Sequence, residues 1–411
     1  MAKLAIQDLA LHGKRVLMRV DFNVPIKAGR VENDKRIRAS LPSINHALAS
    51  GASVVLMSHL GRPDGQRVEQ YSLRPVAQRL SELLGRQVKF LGDCAGPTVE
   101  RVCANLLPGE VVLLENLRFH IEEEGKVRRP DGTSLKADPE AVRAFRASLS
   151  KLGDVYVNDA FGTAHRAHSS ITGVSLEKRA AGCLMQSELD FLGDALDHPK
   201  RPFVAIIGGA KVSDKLAVIS SLLAKVDALL VGGGMAFTLY KAKGAQVGGS
   251  LVEDDRVAMA GELIRRAGEK LVLPVDVVVT DALDLDARKL GTLRTVAWDA
   301  MRPGDIGVDI GEKTRTKFAA VVKRAKTVLW NGPMGIFEID AAANGTLAVA
   351  AALADATAHG GVTVVGGGDS VSALERAGLA DRVTHVSTGG GASLEFLEGK
   401  DLPGVSYLSE K

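Results

Sequence analysis

Short runs rich in Val, Ile and Leu alternate with amphipathic stretches along the whole 411-residue chain, and no other feature constrains its fold as strongly. In the first half the runs are RVLMRVDF (15–22), SVVLMSH (53–59), QVKFL (87–91), EVVLLEN (110–116) and DVYVND (154–159). Helical patterns such as SLRPVAQRLSELLG (72–85) and DPEAVRAFRASLSKLG (138–153) separate them. The second half continues with FVAIIGG (203–209), ALLVGGG (228–234), LVLPVDVVVT (271–280), TVLWNG (327–332), VTVVGGG (362–368) and VTHVSTGGG (383–391). Strands without polar alternation are buried on both faces, which fits parallel sheets covered by helices. Alternating β and α over this length specifies a doubly wound α/β architecture. A single core stops growing near about 250–300 residues, so two Rossmann-like, parallel-sheet domains are expected. The first covers 1–183 and the second begins at 184, with the helical segment 184–196 as the joint. Residues 120–138, charged and containing Gly and Pro, read as a solvent-exposed excursion.

Composition removes several function classes. Aromatic residues make up 4%, too few for a surface that binds by stacking bases. No apolar stretch is long enough to span a membrane, and the N-terminus lacks the apolar core of a signal peptide, so a cytoplasmic protein is expected. Cys94, Cys103 and Cys183 form no CxxC pair, so the reading is of buried thiols rather than a disulfide framework or a Cys-based zinc site. The net charge of +3 hides an asymmetry: residues 1–185 carry 27 Lys and Arg against 20 Asp and Glu, the remainder 25 against 29. A basic half beside a mildly acidic one argues against a nucleic-acid binder and fits an anionic small molecule handled by the first half.

The 44 glycines cluster where apolar runs end, at 208–209, 232–234, 366–368 and 389–391. In open parallel sheets ligands bind at the carboxyl ends of strands, where the next helix presents unpaired N–H groups and the positive end of its dipole. Glycine lets those amides approach a phosphate without a Cβ in the way. Four such turns in one half point to a nucleotide or polyphosphate, although neither G-x-x-x-x-G-K-[ST] nor a strand-following G-x-G-x-x-G occurs, and the protein-kinase motif set is absent. In GGAKVSDK, Lys211 and Lys215 are expected on one face of a helix's first turns, where a bound anion would offset the unfavourable dipole. Asp369 in GGGDS suits either a metal ligand or an N-cap.

The strand ends of the first half carry basic groups instead: Arg19, Asp21 and Asn23 in RVDFNVP, His59 and Arg62 in SHLGRP, Arg118 in ENLRF, and His165, Arg166 and His168 in NDAFGTAHRAHSS, with Arg36 in NDKRIRAS. The planar guanidinium fork suits phosphate and carboxylate through paired hydrogen bonds. His165 and His168 are spaced as a metal-binding pair could be, but no carboxylate stands beside them at ligand spacing.

RVDFNVP, SHLGRP, ENLRF, NDAFGTAHRAHSS, GGAKVSDK and GGGDS, together with GGGMAFT (232–238), NGPMGIFE (331–338) and STGGGASLE (387–395), are nine motifs in one order, and they resemble the phosphoglycerate kinase family over essentially the whole chain. The resemblance implies two α/β domains facing each other across a cleft, the first completed by the C-terminal tail 394–411 and the second covering 184–393. It implies reversible phosphoryl transfer from 1,3-bisphosphoglycerate to ADP, giving 3-phosphoglycerate and ATP, with Mg2+, in a hinge-bending monomer. Carried over position by position, Asp21, Phe22, Asn23, Arg36, His59, Leu60, Gly61, Arg62, Arg118 and Arg166 match the substrate-binding residues. Gly209, Ala210, Lys211, Lys215, Gly307, Asn331, Pro333, Glu338, Gly366, Gly367, Gly368, Asp369 and Ser370 match the nucleotide site, with Asp369 toward Mg2+ and Glu338 toward the ribose. Arg36 and Lys211 are the catalytic pair. MQSEL (185–189) departs from the family's more usual charged form at the hinge, with Glu188 retained, and the 120–138 excursion is longer than its commonest form. A non-catalytic scaffold on the same fold would have lost Arg36, Lys211 or Asp369, and a dehydrogenase would need a dinucleotide fingerprint.

Overall fold

The fold is described from a computed structural model, over residues 3–128 and 131–411. The chain forms two compact units, 1–189 with 401–411, and 190–400. In the first, strands β1 (Arg15–Arg19), β2 (Ser53–Met57), β3 (Val88–Phe90), β4 (Val111–Leu113), β5 (Val155–Asn158) and β6 (Arg179–Ala181) form one sheet in the order β6-β5-β1-β2-β4-β3, parallel throughout. β2 and β4 are buried at every position, as their uninterrupted apolar runs require. The connections leave β1 and β5 on opposite sides, so the switch point of this sheet lies between these two neighbours.

The second unit contains β7 (Phe203–Ile207), β8 (Ala228–Val231), β9 (Leu271–Val272), β10 (Asp276–Thr280), β11 (Leu293–Ala297), β12 (Ile306–Ile310), β13 (Thr327–Asn331), β14 (Val362–Gly366) and β15 (His385–Val386). Its parallel sheet runs β9-β8-β7-β13-β14-β15, the order of a dinucleotide-binding fold, with its switch point between β7 and β13. A small antiparallel sheet, β11-β10-β12, packs its Val277 and Val279 against Phe237 and Tyr240. The run 271–280 is therefore two strands in two sheets rather than one. Pro274 has no N–H to give a ladder, and its carbonyl accepts the Tyr240 hydroxyl at 2.9 Å.

Three further expectations change. The 120–138 segment is not simply exposed: Ile121–Glu124 is a short helix whose Glu123 is 1% accessible, followed by the hairpin strands Lys126–Arg128 and Ser134–Lys136. Residues 394–400 lie with the second unit, because the helix Gly391–Leu397 packs on Leu216–Leu223. Only 401–411 joins the first unit, through Gly404 N to Ala164 O, Leu4 N to Ser409 O and Ser409 N to Arg179 O, all 2.8 Å. Cys94 and Cys103 are buried, whereas Cys183 is half-buried and begins the helix Cys183–Asp197 that carries the chain from one unit to the next. Among the described residues no helix is long and apolar enough to cross a membrane.

Side-chain carboxylates hold the starts of two helices. Asp138 accepts from Ala141 N at 2.9 Å ahead of Pro139, which opens the helix Pro139–Ser150. Asp159, just beyond β5, receives Leu184 N at 2.9 Å and Met185 N at 3.3 Å, so it holds the start of Cys183–Asp197. Burial pushes its carboxyl up to about 7 against these donors.

Asp138→Ala should lower stability by about 1 kcal/mol, read as the shift of the urea midpoint. Asp159 ionises near its ordinary 3.8 when unfolded and near 7 when folded, so its contribution is complete below about pH 4 and lost as pH rises through 7. Asp159→Asn keeps an acceptor without the ionisation, so its stability should fall less than the parent's between pH 4 and 7; equal pH dependence would contradict the assignment.

Candidate active site

At the carboxyl end of the first sheet, Arg19 closes β1 with no exposed surface. Its Nε donates to Ser170 Oγ at 2.9 Å, its Nη1 to the Val20 carbonyl, and its Nη2 approaches His59 Nδ1 at 3.1 Å. A guanidinium can only donate, so His59 Nδ1 accepts and the ring proton is on Nε2. Burial, then Arg19, Arg118 and Arg36, hold the His59 imidazole well below its ordinary range. Burial and the charges of Arg118, Arg19 and Arg166 push His168 down to about 3. Both rings are neutral at pH 7, and the arginines carry the positive charge.

The loops around this cluster are tied by short polar contacts. Asn23 Oδ1 receives Gly61 N at 2.9 Å, and Phe22 N donates to Ser58 Oγ at 2.8 Å. The Asn116 amide fixes Leu60, accepting its N–H at 3.1 Å and donating to its carbonyl at 2.7 Å. Arg36 Nη1 donates to Asp21 Oδ2 at 2.7 Å. Arg118, 5% accessible, donates to the Gly61 carbonyl at 2.8 Å and pairs with Glu124 at 3.2 Å, but its buried Nε has no partner among the described residues. Arg62 and Arg166 point into solvent, and Arg62 makes no side-chain hydrogen bond among the described residues. Unmet guanidinium donors beside satisfied ones are what a bound anion would complete.

At the second sheet's switch point, β7 and β13 end in backbone that only glycine allows. Gly208 N donates to Asn331 O at 2.9 Å and Gly209 N to Pro333 O at 3.2 Å. A Cβ on Gly208 would press into the carbonyls of Pro333 and Gly332, and Gly332 itself has φ +97°. Ser370 Oγ accepts Gly332 N at 2.6 Å, tying β13's exit to the helix Gly368–Arg376. Lys215 Nζ donates to Asn331 Oδ1 at 2.6 Å, and burial lowers its pKa, while the buried Asn331 Nδ2 has no partner among the described residues. A cavity of about 530 Å³ opens here, lined by Gly209, Ala210, Gly233, Phe237, Gly307, Pro333, Glu338 and Asp369 among others. Its apolar wall is Phe237, Val277, Ile306 and Val308; a Cβ on Gly307 would collide with the Phe237 ring. Gly367 precedes and Gly368 opens the helix on which Asp369 sits exposed.

Two expectations of local geometry fail. Lys211 and Lys215 do not share a helical face, since Ser213–Lys215 is a 3-10 turn and the α-helix begins at Leu216; Lys211 lies before both and is exposed. Glu253 holds that turn by accepting from Ser213 N at 3.0 Å. Asp369 is not an N-cap, because Gly367 occupies that position. His168 does have carboxylates nearby, Glu123 and Glu124 at 3.9 Å each, which the linear spacing hid. Asn116, Ser170 and Glu123, polar groups in or beside motifs, carry no signal in the sequence; their role follows from their burial. A wider cavity of about 900 Å³ lies beside Arg30, Arg38 and Arg79, but Arg38 and Arg79 are already paired with Asp34 at 2.9 and 2.7 Å.

Comparison with known proteins agrees with the motifs. The phosphoglycerate kinase family profile matches residues 6–400. The chain is 54% identical to phosphoglycerate kinase 2 of Sus scrofa and 53% to a probable phosphoglycerate kinase of Caenorhabditis elegans, in each case over 99% of its length and 98% of theirs. Among solved structures it is similar to phosphoglycerate kinase from Coxiella burnetii, with a TM-score of 0.86 at 39% identity, and to that of Pyrococcus horikoshii, with 0.80 at 33%, each over 98% of both chains. The chain thus belongs to the phosphoglycerate kinase family, and it is a phosphotransferase.

Proposed function

We propose that the first unit holds the phosphoglycerate and the second the nucleotide, and that the chain passes a phosphoryl group reversibly from 1,3-bisphosphoglycerate to ADP. The observation that carries the division is the contrast of equipment: unmet guanidinium donors at one sheet, glycine-lined amides beside a half-apolar cavity at the other. An apolar wall with few polar groups suits a purine ring, and amide-lined strand ends suit its phosphates.

In this reading Arg62, Arg118 and Arg166, with His59 donating from Nε2, bind phosphate and carboxylate groups of the glycerate, while Asp21, Asn23, Phe22, Leu60 and Gly61 shape the loops around them. Gly209, Ala210, Gly366, Gly367, Gly368 and Ser370 cradle the nucleotide phosphates. Lys215 and Asn331 steady them, Glu338 accepts from the ribose hydroxyls, and Gly307 and Pro333 border the base. The acceptor in the reverse direction is a carboxylate, already ionised at pH 7, so no general base is needed. Neutral His59 and His168 suit that requirement. Catalysis is then positioning plus neutralisation of charge on the moving group, which Arg36 and Lys211 supply. A divalent magnesium ion fits Asp369, an exposed carboxylate with no hydrogen bond among the described residues on the cavity wall. Bound with the nucleotide, it would offset phosphate charge. Because the two ligands sit on separate units, turnover requires a closing motion that also keeps water from a reactive acyl phosphate, and Cys183–Asp197 is the proposed hinge. The same reading makes the enzyme a cytoplasmic monomer; sedimentation at one 43.3 kDa chain checks the oligomeric part.

An assay coupling ADP and 1,3-bisphosphoglycerate to ATP formation tests the whole. Lys211→Ala should lower kcat about 10²–10³-fold with unchanged circular dichroism, and near-normal turnover would remove Lys211 from the mechanism. Arg62→Ala should raise KM for 3-phosphoglycerate about tenfold or more with a much smaller change in kcat. The reverse split would reassign Arg62 to the transition state.

A further inference from the structure

The loop after β3 and the turn after β4 bring together three side chains of different donor chemistry. Asp93 and Cys94 come from the first, His120 from the second, and one ligand atom of each lies within 4.8 Å of the others. His120 Nε2 meets Asp93 Oδ1 at 2.7 Å. The same carboxylate oxygen receives Cys94 N at 2.7 Å, which orients it. The other ring nitrogen, His120 Nδ1, faces Glu122 at 4.0 Å, and the Phe145 ring packs against His120 at 5.2 Å between centroids, tilted by 32°. The Cys94 thiol is buried, and its sulfur makes no hydrogen bond among the described residues.

We propose that Asp93, Cys94 and His120 form a binding site for a divalent metal ion of the zinc class. Thiolate, imidazole and carboxylate together suit a borderline-soft ion and not a hard one such as magnesium. A carboxylate hydrogen-bonded to the far ring nitrogen is the usual support of a metal-bound histidine, and Glu122, at 4.0 Å, is placed to become one by closing on Nδ1. Charge also balances. Asp93, a Cys94 thiolate and a neutral His120 sum to minus two, matching the ion; binding releases the Cys94 proton, while the His120 ring proton moves to Nδ1, the nitrogen that faces Glu122. Arg67, which donates to the Gly92 carbonyl at 2.8 Å, is the nearby positive charge that opposes entry. Bonds of about 2.0–2.3 Å set tetrahedral ligand atoms roughly 3.3–3.8 Å apart, so the ion needs the Asp93–His120 pair, at 2.7 Å, to open, and the three ligand atoms already lie within 4.8 Å of one another. Asp93 is exposed and leaves the fourth position to water. The site would staple the loop 91–96 to the segment that carries Arg118, two residues before His120. Cysteine spacing alone argued against zinc here because the partner histidine is 26 residues away in sequence.

Cobalt(II) titration of the full chain, stripped with chelator, tests this directly. One ion per chain should bind with a thiolate-to-cobalt charge-transfer band that zinc removes. Cys94→Ser should abolish the band and His120→Gln should weaken binding at least tenfold, while Cys103→Ser and Cys183→Ser should leave both unchanged. Zinc should also raise the unfolding temperature of the parent and not of His120→Gln, a half-buried position whose variant keeps the test valid should Cys94→Ser fold poorly. Absence of the band in the parent, its survival in Cys94→Ser, or zinc binding indifferent to His120→Gln overturns the proposal.

Discussion

The second unit depends on two strand ends meeting with nothing but backbone between them. Gly208 and Gly332 stand where β7 and β13 leave the sheet, and a Cβ at Gly208 would sit 2.6 Å from the Gly332 carbonyl. Gly233 repeats the pattern one strand over, with φ +73° and its N–H on the Met334 carbonyl at 3.1 Å. Because these turns pack this tightly, the helices that follow start close together around one cavity, whose wall includes Gly209, Ala210, Gly233 and Gly234. The Asn331 amide, which points its oxygen at Lys215, belongs to the same contact. Larger side chains would push the strand ends apart and remove the phosphate-sized space.

The first unit solves a different problem, that of keeping several positive charges together without a ligand. Arg19 is entirely buried and directs its donors inward, to Ser170, the Val20 carbonyl and His59. Glu123 and Glu124 set negative charge behind Arg118 and His168, and Asp21 behind Arg36. These partners cover part of the cluster and leave the rest for substrate. Since the imidazoles are neutral, the cluster's charge changes little across neutral pH, which suits an acceptor that arrives already ionised.

The α/β class, the two parallel sheets and the glycine turns at strand ends were legible because each is written in local pattern: apolar runs, helical periodicity, glycine at fixed places. The break at Pro274 was legible in principle, since proline cannot serve a central ladder, but the apolar residues on both sides concealed it. Lys211 and Lys215 misled because a four-residue spacing says nothing about whether the turn is α or 3-10. Asp159, Asn116 and Glu123 were invisible for a deeper reason: a polar residue's role inside a core depends on which N–H groups the fold aims at it, and those lie 25 to 56 residues away. The Asp93, Cys94 and His120 cluster is hidden in the same way, being assembled from two loops by the pairing of β3 with β4.

Where the two ligands bind decides whether the two units divide the work in this way. A crystal structure with magnesium, ADP and 3-phosphoglycerate should show the nucleotide phosphates on the amides of 209–210 and 366–369 and the base against Phe237, with the glycerate phosphate meeting Arg62, Arg118 and Arg166. Density for either ligand in the cavity beside Arg30, Arg38 and Arg79, with the glycine turns left to solvent, would contradict it.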